Sequence, residues 1–281
     1  MPHPPANAGA QSMRCLIVVK TYPNPSQRYG ETVCCAGIDM ATRGWVRIYP
    51  VDFRRLAAAR FHKYQVIQCQ WRPPNDDQRP ESRRVDQDSI QVHERLSTKD
   101  GWRERLRWLP PLHPSLEAVD DDHRASGISL AVVRPKRIDR LIIEKATPYT
   151  EKQLAVIRQQ RLNLGEDDSP QLRELEKLPY TFSYRFWCDD ARCHGHTKQI
   201  LDWEIGESYR KWRREYGAKG WERAIRGMYE DRLLRQDLQL VVGTMKKRPH
   251  TFTIVGLVYP PRPKVDRGDR SQLSLQLVDQ D

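Results

Sequence analysis

Two cysteines and a histidine lie within nine residues of each other in the second half of the chain, as Cys188-x4-Cys193-x2-His196. Thiolate sulfur and imidazole nitrogen are the ligand types that Zn2+ prefers, and a tight turn after a strand brings such side chains to one side. The spacing therefore predicts a zinc ion. Because the ligands are crowded into one short turn, a structural role is favoured over a catalytic one.

A structural zinc ion needs a fourth ligand, and the sequence leaves its identity open. His194 is nearest in the chain and is our first choice, while Asp189 and Asp190 are hard oxygen ligands and second choices. If the two halves of the chain pack together, the further candidates are Cys34, Cys35, Cys69 and His250. The competing interpretation is that the cysteines are small apolar residues at a strand end and that His196 acts as a cap.

A catalytic metal site is the alternative if the ion has three protein ligands. Its fourth position would then hold a water molecule of lowered pKa, with Asp202 or Glu204 as the base. The protein would then be a metal-dependent nuclease or another phosphoester hydrolase. Because the two carboxylates are two residues apart, they lie on different faces of a helix. The sequence therefore leaves the catalytic residues, and whether the protein is an enzyme at all, unknown.

A strongly basic segment follows the cysteine turn. Residues 209–235 contain nine basic and four acidic side chains, in a chain of 281 residues whose net charge is +11. Clustered cations attract phosphates through a salt-sensitive field, and arginine binds phosphate oxygens with two hydrogen bonds. The candidate nucleic-acid-binding residues on two predicted helices and a hairpin loop are Arg210, Lys211, Arg213, Arg214, Arg223, Arg226, Lys246, Lys247 and Arg248.

Aromatic residues offer two further possibilities. The loop of residues 20–29 joins two predicted strands, and Tyr22, Arg28 and Tyr29 give it stacking groups and a charge, so it is a candidate ligand loop. Within the basic segment, exposed aromatic rings would stack on bases. However, Trp212 and Tyr216 continue a helical stripe begun by apolar residues, which favours burial for both.

Short runs rich in β-branched and aromatic residues predict the elements that position these groups. Strands over 15–20, 32–38, 45–49, 65–71, 129–133 and 138–143 predict a small β-barrel, and a helical spacing of apolar residues covers 53–64. Residues 72–88 have no periodicity and are predicted to form a long loop. A strand over 180–187, helices over about 198–216 and 221–235, and a closing hairpin follow.

These elements predict an α+β fold with an OB-like or PUA-like barrel followed by a module built around the Cys/His turn. The expected organisation is a disordered tail over 1–12, the barrel over 13–161, a linker over 162–178, the Cys/His module over 179–261 and a second disordered tail over 262–281.

Composition limits where the protein works. Charged residues make up 30% of the chain and the mean hydropathy is −0.79, so no stretch approaches the roughly 20 apolar residues of a membrane span. The first residues lack the basic start and apolar core of a secretory signal. Six widely spaced cysteines do not resemble a disulfide framework. We therefore expect a cytoplasmic protein without a membrane partner.

The segment TVCCAGIDMATRGWVRIYP at 32–50, together with SLAVVRPKRI at 129–138, resembles the small β-barrel proteins described as dual OB-containing domain proteins. In these proteins a Cys-Ala-Gly strand leads through a turn to a Trp-Val-Arg strand. The resemblance covers about half of the chain and implies a barrel that binds nucleic acid or a nucleotide. It carries over no catalytic residue, and the cysteine turn and the basic segment lie outside it.

Together these features predict a protein that binds DNA or RNA through its basic helices and hairpin loop, with a fold held by structural zinc. The alternatives are the hydrolase described above and a scaffold subunit whose arginines bind an acidic protein. The sequence does not choose between DNA and RNA.

Overall fold

The computed structural model describes residues 10–22, 24–26, 30–52, 61–148, 150–151, 155, 177–246 and 248–262. Strands from both halves and helices of the second half form an α+β fold, as predicted. No helix in the described part of the chain is long and apolar enough to cross a membrane. The tail expected at 262–281, most of the linker at 162–178 and most of the helix at 53–64 fall outside the described residues.

The first half forms a closed five-stranded barrel that is compatible with an OB-like fold. Each strand of the barrel pairs with two others in the order β1-β3-β4-β6-β5, and β5 returns to β1 to close the ring. The five strands are β1 (Gln11–Lys20), β3 (Gly30–Asp39), β4 (Trp45–Asp52), β5 (Gln65–Arg72) and β6 (Ser82–Val85). Two further strands, β2 (Asn24–Ser26) and β7 (Gln91–Arg95), extend this sheet.

Alternation of side chains along β1 explains how the barrel packs on the second half. Cys15 and Ile17 point into the barrel core, whereas Leu16 and Val18 belong to a second apolar layer shared with strands of the second half. This is the period of two expected of a strand, except that both faces are buried. Because an added Cβ at Gly37 would lie 2.2 Å from the Leu16 carbonyl oxygen, β3 can approach β1 this closely only with glycine there.

Two predictions for the first half need correction. The long loop expected over 72–88 contains β6, which joins β4 to β5 and is needed to close the barrel. With four residues and a polar sequence, this strand has too little pattern to be recognised. In addition, β1 begins at Gln11, so residues 11–12 of the expected tail are part of the barrel.

The second half contains two three-stranded sheets and the longer helices. Strands β9 (Arg137–Lys145), β10 (Tyr180–Trp187) and β11 (His196–Gln199) form one sheet, and β8 (Leu130–Val133), β12 (Gln239–Met245) and β13 (Arg248–Val258) form the other. Helix α1 (Lys99–Leu106) follows the barrel strands in the first half, and the second half has α2 (Leu116–Ser126) and α3 (Trp203–Arg226). Apolar side chains of both sheets, α2 and α3 share one core.

The strands over 129–133 and 138–143 were expected in the barrel, and this assignment is wrong. In the structure β8 pairs with β12 and β9 pairs with β10, so both strands belong to the sheets of the second half. The error arose because apolar runs show that a strand exists, whereas its partner depends on contacts that are distant in sequence.

The two helices expected over 198–216 and 221–235 are present as the two parts of α3, which meet at a break, but the first part begins later than expected. Residues 196–199 form β11, and α3 starts only after Asp202, whose side chain accepts a hydrogen bond from the Glu204 N–H at 3.0 Å. Gly217 interrupts the helix with a φ of 68°, a value that glycine adopts without strain. The chain then continues through a π-helical turn, Gly227–Arg232, and a 3-10 turn, Leu233–Arg235.

A buried ion pair joins the two halves where α3 begins. Lys63 lies just before β5, and its Nζ contacts Asp202 Oδ2 at 2.9 Å, Glu204 Oε2 at 3.1 Å and the Leu257 carbonyl oxygen at 3.0 Å. The side chains of Lys63 and Asp202 are 4% and 0% exposed. Burial lowers the pKa of Lys63, but the nearby carboxylates of Asp202 and Glu204 raise it by more than burial lowers it. The lysine therefore stays charged.

We predict that Lys63→Met destabilises the protein by about 3–5 kcal/mol, because it leaves the Asp202 carboxylate buried without its cation. Urea unfolding of the variant beside Lys99→Met, an exposed lysine of α1, provides the measurement and its control. Adding Asp202→Asn to Lys63→Met removes the unpaired charge and keeps a good N-cap, so it should restore part of the loss. A loss below about 1 kcal/mol for Lys63→Met would contradict the assigned role.

Candidate metal centre and nucleic-acid interface

Four potential metal ligands converge where the first turn of α2 meets the cysteine turn. The ligand atoms of Glu117, Cys188, Cys193 and His196 all lie within 4.8 Å of one another. Glu117 comes from α2, Cys188 follows β10, and His196 begins β11. Three of these residues were expected from the sequence. Together the four side chains could bind a metal ion.

Hydrogen bonds already hold these side chains together. The Cys188 N–H donates to Cys193 Sγ at 3.1 Å, and the Leu116 N–H donates to Cys188 Sγ at 3.5 Å. His196 Nε2 lies 3.4 Å from Cys193 Sγ and 3.0 Å from Glu117 Oε1. Backbone N–H groups directed at sulfur stabilise the thiolate form that a metal requires.

Burial favours the uncharged forms of two members of the cluster. Burial raises the pKa of the Cys188 thiol to about 12, and burial also lowers the pKa of His196. Glu117 Oε2 is buried and has no hydrogen-bond partner among the described residues. A divalent cation would displace the thiol protons and give this oxygen a partner.

Asp189 and Asp190 of the cysteine turn bind residues around the ligand group and are not part of it. Ser115 accepts the Ala118 N–H at 3.0 Å, which caps α2, and donates its hydroxyl to Asp190 Oδ2 at 2.7 Å. Arg192 binds the same carboxylate and holds the pKa of Asp190 far below its usual value. Since Asp189 forms an ion pair with Lys136, neither aspartate belongs to the ligand group.

The prediction of His194 as the fourth ligand needs correction. His194 is absent from the converging group, and Glu117 takes the fourth place. The reason is topological: α2 lies 71 residues before Cys188, and no local spacing connects the two. The distant candidates are likewise not in the converging group: Cys34, Cys35 and Cys69 lie on the barrel strands, and His250 lies 3.1 Å from His123.

Asp202 and Glu204, the candidate bases of the hydrolase alternative, both have structural partners. Asp202 is 1% exposed, accepts hydrogen bonds from Lys63, the Leu257 N–H and the Glu204 N–H, and so caps α3. Glu204 is bound to Lys63 and to the Tyr259 hydroxyl. Neither carboxylate lies in the metal-ligand group. Both hold the fold at the start of α3, and this arrangement favours a structural role for them over the catalytic one.

Several of the predicted phosphate-binding side chains are exposed along α3. Among the described residues none of this exposed set forms an ion pair with a carboxylate. The set comprises four predicted phosphate-binding residues, Lys211, Arg213, Arg214 and Arg223, together with Lys219. We refer to these five residues, which lie on more than one side of the kinked helix, as the basic face of α3. Uncompensated cations on an exposed helix are free to bind an external anion.

Other predicted residues have different roles. Arg226 binds Glu222, Glu230 and the Leu141 carbonyl, so its charge is neutralised and it serves packing. Lys246 contacts Asp76 at 2.7 Å, whereas Arg248 is exposed in the hairpin. Lys247 of the hairpin loop, and Arg28 and Tyr29 of the ligand loop, lie outside the described residues.

The ligand loop and the basic segment meet at Tyr22. The guanidinium of Arg210 lies 5.6 Å from the centre of the Tyr22 ring, which stacks on Trp203 at 5.5 Å. Gly206 allows this contact, because an added Cβ there would lie 2.6 Å from the tyrosine ring. The barrel loop thus packs on the first turns of α3.

The apolar stripe of α3 ends at the kink. Trp212 packs against the core as expected, but Tyr216 is 51% exposed, so its predicted burial is wrong. Tyr216 is the last residue before the break at Gly217, where the helical repeat ends. Trp221 and Tyr229 are buried and cannot stack on a base.

Comparison with protein families divides the chain in the same way as its strand pairing. Residues 113–278 match the family described as Domain of unknown function (DUF8757). The chain belongs to this family. Residues 11–111 match a second family, described as Domain of unknown function (DUF8758). The DUF8757 segment therefore contains the four clustered ligands and the basic face, and the DUF8758 segment contains the barrel. A comparison with curated proteins finds no match.

We predict that Glu117→Gln lowers the metal content of the purified protein, because the fourth ligand loses its charge, while His194→Gln leaves the content unchanged. Elemental analysis of both variants beside the wild type and Cys193→Ser is the measurement. This ligand set would be contradicted if Glu117→Gln and His194→Gln lost equal amounts of metal, or if only His194→Gln lost metal.

Proposed function

We propose that the protein binds nucleic acid, with the basic face of α3 holding the phosphates. The observation that carries this proposal is the exposure of five cations along one helix without carboxylate partners among the described residues. The net charge of +11 adds a long-range attraction for a polyanion. Neither feature selects DNA over RNA.

The chemistry of the cations suits the phosphates of a strand. Each arginine presents a planar set of donors for two phosphate oxygens, and each lysine adds a mobile charge. Binding releases the counterions condensed on the nucleic acid, so affinity falls steeply as salt rises. Phosphate contacts alone carry no sequence information, so this surface fixes position rather than sequence.

Aromatic groups near the basic face supply contacts to bases. Tyr216 is exposed within α3 and offers a ring on which an unpaired base stacks. Tyr22 is held against α3 by Trp203 and lies beside Arg210, at the edge of the barrel. These positions favour a single-stranded or locally opened strand over an intact duplex, whose bases are already stacked.

Zinc is the metal we propose for the ligand group, because two sulfurs, one imidazole and one carboxylate form a tetrahedral set that suits Zn2+. Four protein ligands leave no position for a reactive water molecule, which supports a structural role. The ion would fasten α2 to the turn between β10 and β11. A reducing compartment such as the cytoplasm suits the site, because its two sulfurs bind metal only as thiolates.

We predict that replacing Lys211, Arg213 and Arg214 together by glutamine weakens binding and makes the slope of log K against log salt less steep by about 2–3, one unit for each lost phosphate contact. Fluorescence anisotropy with labelled single-stranded and duplex DNA and RNA across a salt series is the measurement.

The matched control replaces Lys99 and Arg103 of α1 and Arg107 directly after it, three exposed cations, by glutamine and removes the same net charge. It should retain the slope of the wild type. If both triple variants change the slope equally, α3 has no special role. If wild-type protein binds no nucleic acid but binds an acidic polypeptide, the scaffold alternative replaces this proposal.

A further inference from the structure

A cavity of about 540 Å3 opens beside the first turns of α3. One face of the helix forms its wall with Glu204, Glu207, Ser208, Lys211 and Arg214. The opposite wall comes from the turns after α3 and from the end of β13, through Met228, Tyr229, Leu233 and Tyr259. The volume lies within the range typical of small-molecule sites, roughly 300–1,000 Å3.

The inner end of this cavity is acidic and incompletely satisfied. Glu207 Oε1 is buried and has no hydrogen-bond partner among the described residues. Burial raises the pKa of Glu207, although Arg210 and Arg214 act in the opposite direction. A buried acceptor without a donor is costly, so a ligand with N–H groups would gain by occupying this end. Glu204 is already engaged by Lys63 and Tyr259.

The outer end is basic. Lys211 and Arg214 are exposed and have no carboxylate partner among the residues described. They follow Glu207 by one and two helical turns on the same face of α3, so the cationic end lies roughly 10 Å along the helix from the buried carboxylate. A matching ligand therefore has hydrogen-bond donors at one end and an anion at the other.

We propose that this cavity binds one unpaired nucleotide, with an amine-bearing base at Glu207 and its phosphate at Lys211 and Arg214. This inference rests on the proposed function, since Lys211 and Arg214 belong to the basic face. Carboxylates accept hydrogen bonds from the exocyclic amines of bases. Guanine offers two adjacent N–H donors and cytosine and adenine offer an amine, whereas uracil has no amine and only an N3–H between two carbonyl oxygens. The nucleotide is either free or the 5′-phosphorylated end of a strand.

Calorimetric titration of the full-length protein with the 5′-monophosphates of guanosine, cytidine, adenosine and uridine tests the base preference. The guanosine nucleotide should bind at least about tenfold more tightly than the uridine nucleotide, because uracil offers Glu207 a single N–H flanked by two carbonyl oxygens, whereas guanine offers two adjacent N–H donors. Equal affinities, or tighter binding of the uridine nucleotide, would overturn the proposal.

Two variants test the two ends separately. Glu207→Gln should abolish the preference for amine-bearing bases. Arg214→Gln should reduce the ratio of the affinity for guanosine 5′-monophosphate to the affinity for guanosine. The matched controls are Glu215→Gln, at an exposed position of α3, and Arg103→Gln on α1. Both controls should bind as the wild type does. If Glu207→Gln fails to fold, the exposed Arg214 variant still decides the phosphate end.

Oligonucleotides with and without a 5′-phosphate, measured in parallel, identify the source of the nucleotide. Tighter binding of the phosphorylated strand supports a strand end, and equal binding beside tight mononucleotide binding supports a free nucleotide. If the wild type binds strands but none of the mononucleotides, the cavity proposal fails and the proposed function stands. If it binds neither, both fail.

Discussion

The buried charge of Lys63 is the constraint on which the rest of the arrangement depends. A lysine inside a protein requires a paired carboxylate, and here it has Asp202 at 2.9 Å and Glu204 at 3.1 Å. Because Asp202 also caps α3, this contact fixes where the helix begins and holds it against the barrel. The strand β13 joins the same network through Leu257. The position of α3 on the molecule is therefore set by the barrel, not by α3 alone.

The position of α3 determines which of its basic side chains are neutralised by carboxylates and which stay exposed. Arginines that meet the sheets are neutralised, as Arg226 is by Glu222 and Glu230, while those on the outer turns of α3 keep their charge. Net charge alone would not distinguish these groups. The metal-ligand group joins α2 to the cysteine turn, and none of its four residues belongs to the basic face of α3.

Much of the fold followed from sequence patterns, whereas the long-range contacts did not. Strand β10 was predicted with its observed bounds, because its alternating aromatic residues have a clear period of two. The ligand Glu117 and the partner of Asp202 were missed, since Lys63 is 139 residues from Asp202 and no local spacing reveals such a pair. Asp202 was read as a base for the same reason: a carboxylate near a metal motif carries no local sign of a buried lysine. Tyr216, which the apolar stripe predicted to be buried, is exposed just before the break at Gly217.

The central claim is that nucleic acid contacts the exposed side of α3. Photo-cross-linking to an oligonucleotide with a photoreactive base, followed by mass spectrometry of the cross-linked peptides, tests it most directly. The account predicts cross-links in peptides of α3, Trp203–Arg226, with Tyr216 among the modified residues. Cross-links confined to the outer strands of the barrel or to β9, with none in α3, would contradict it.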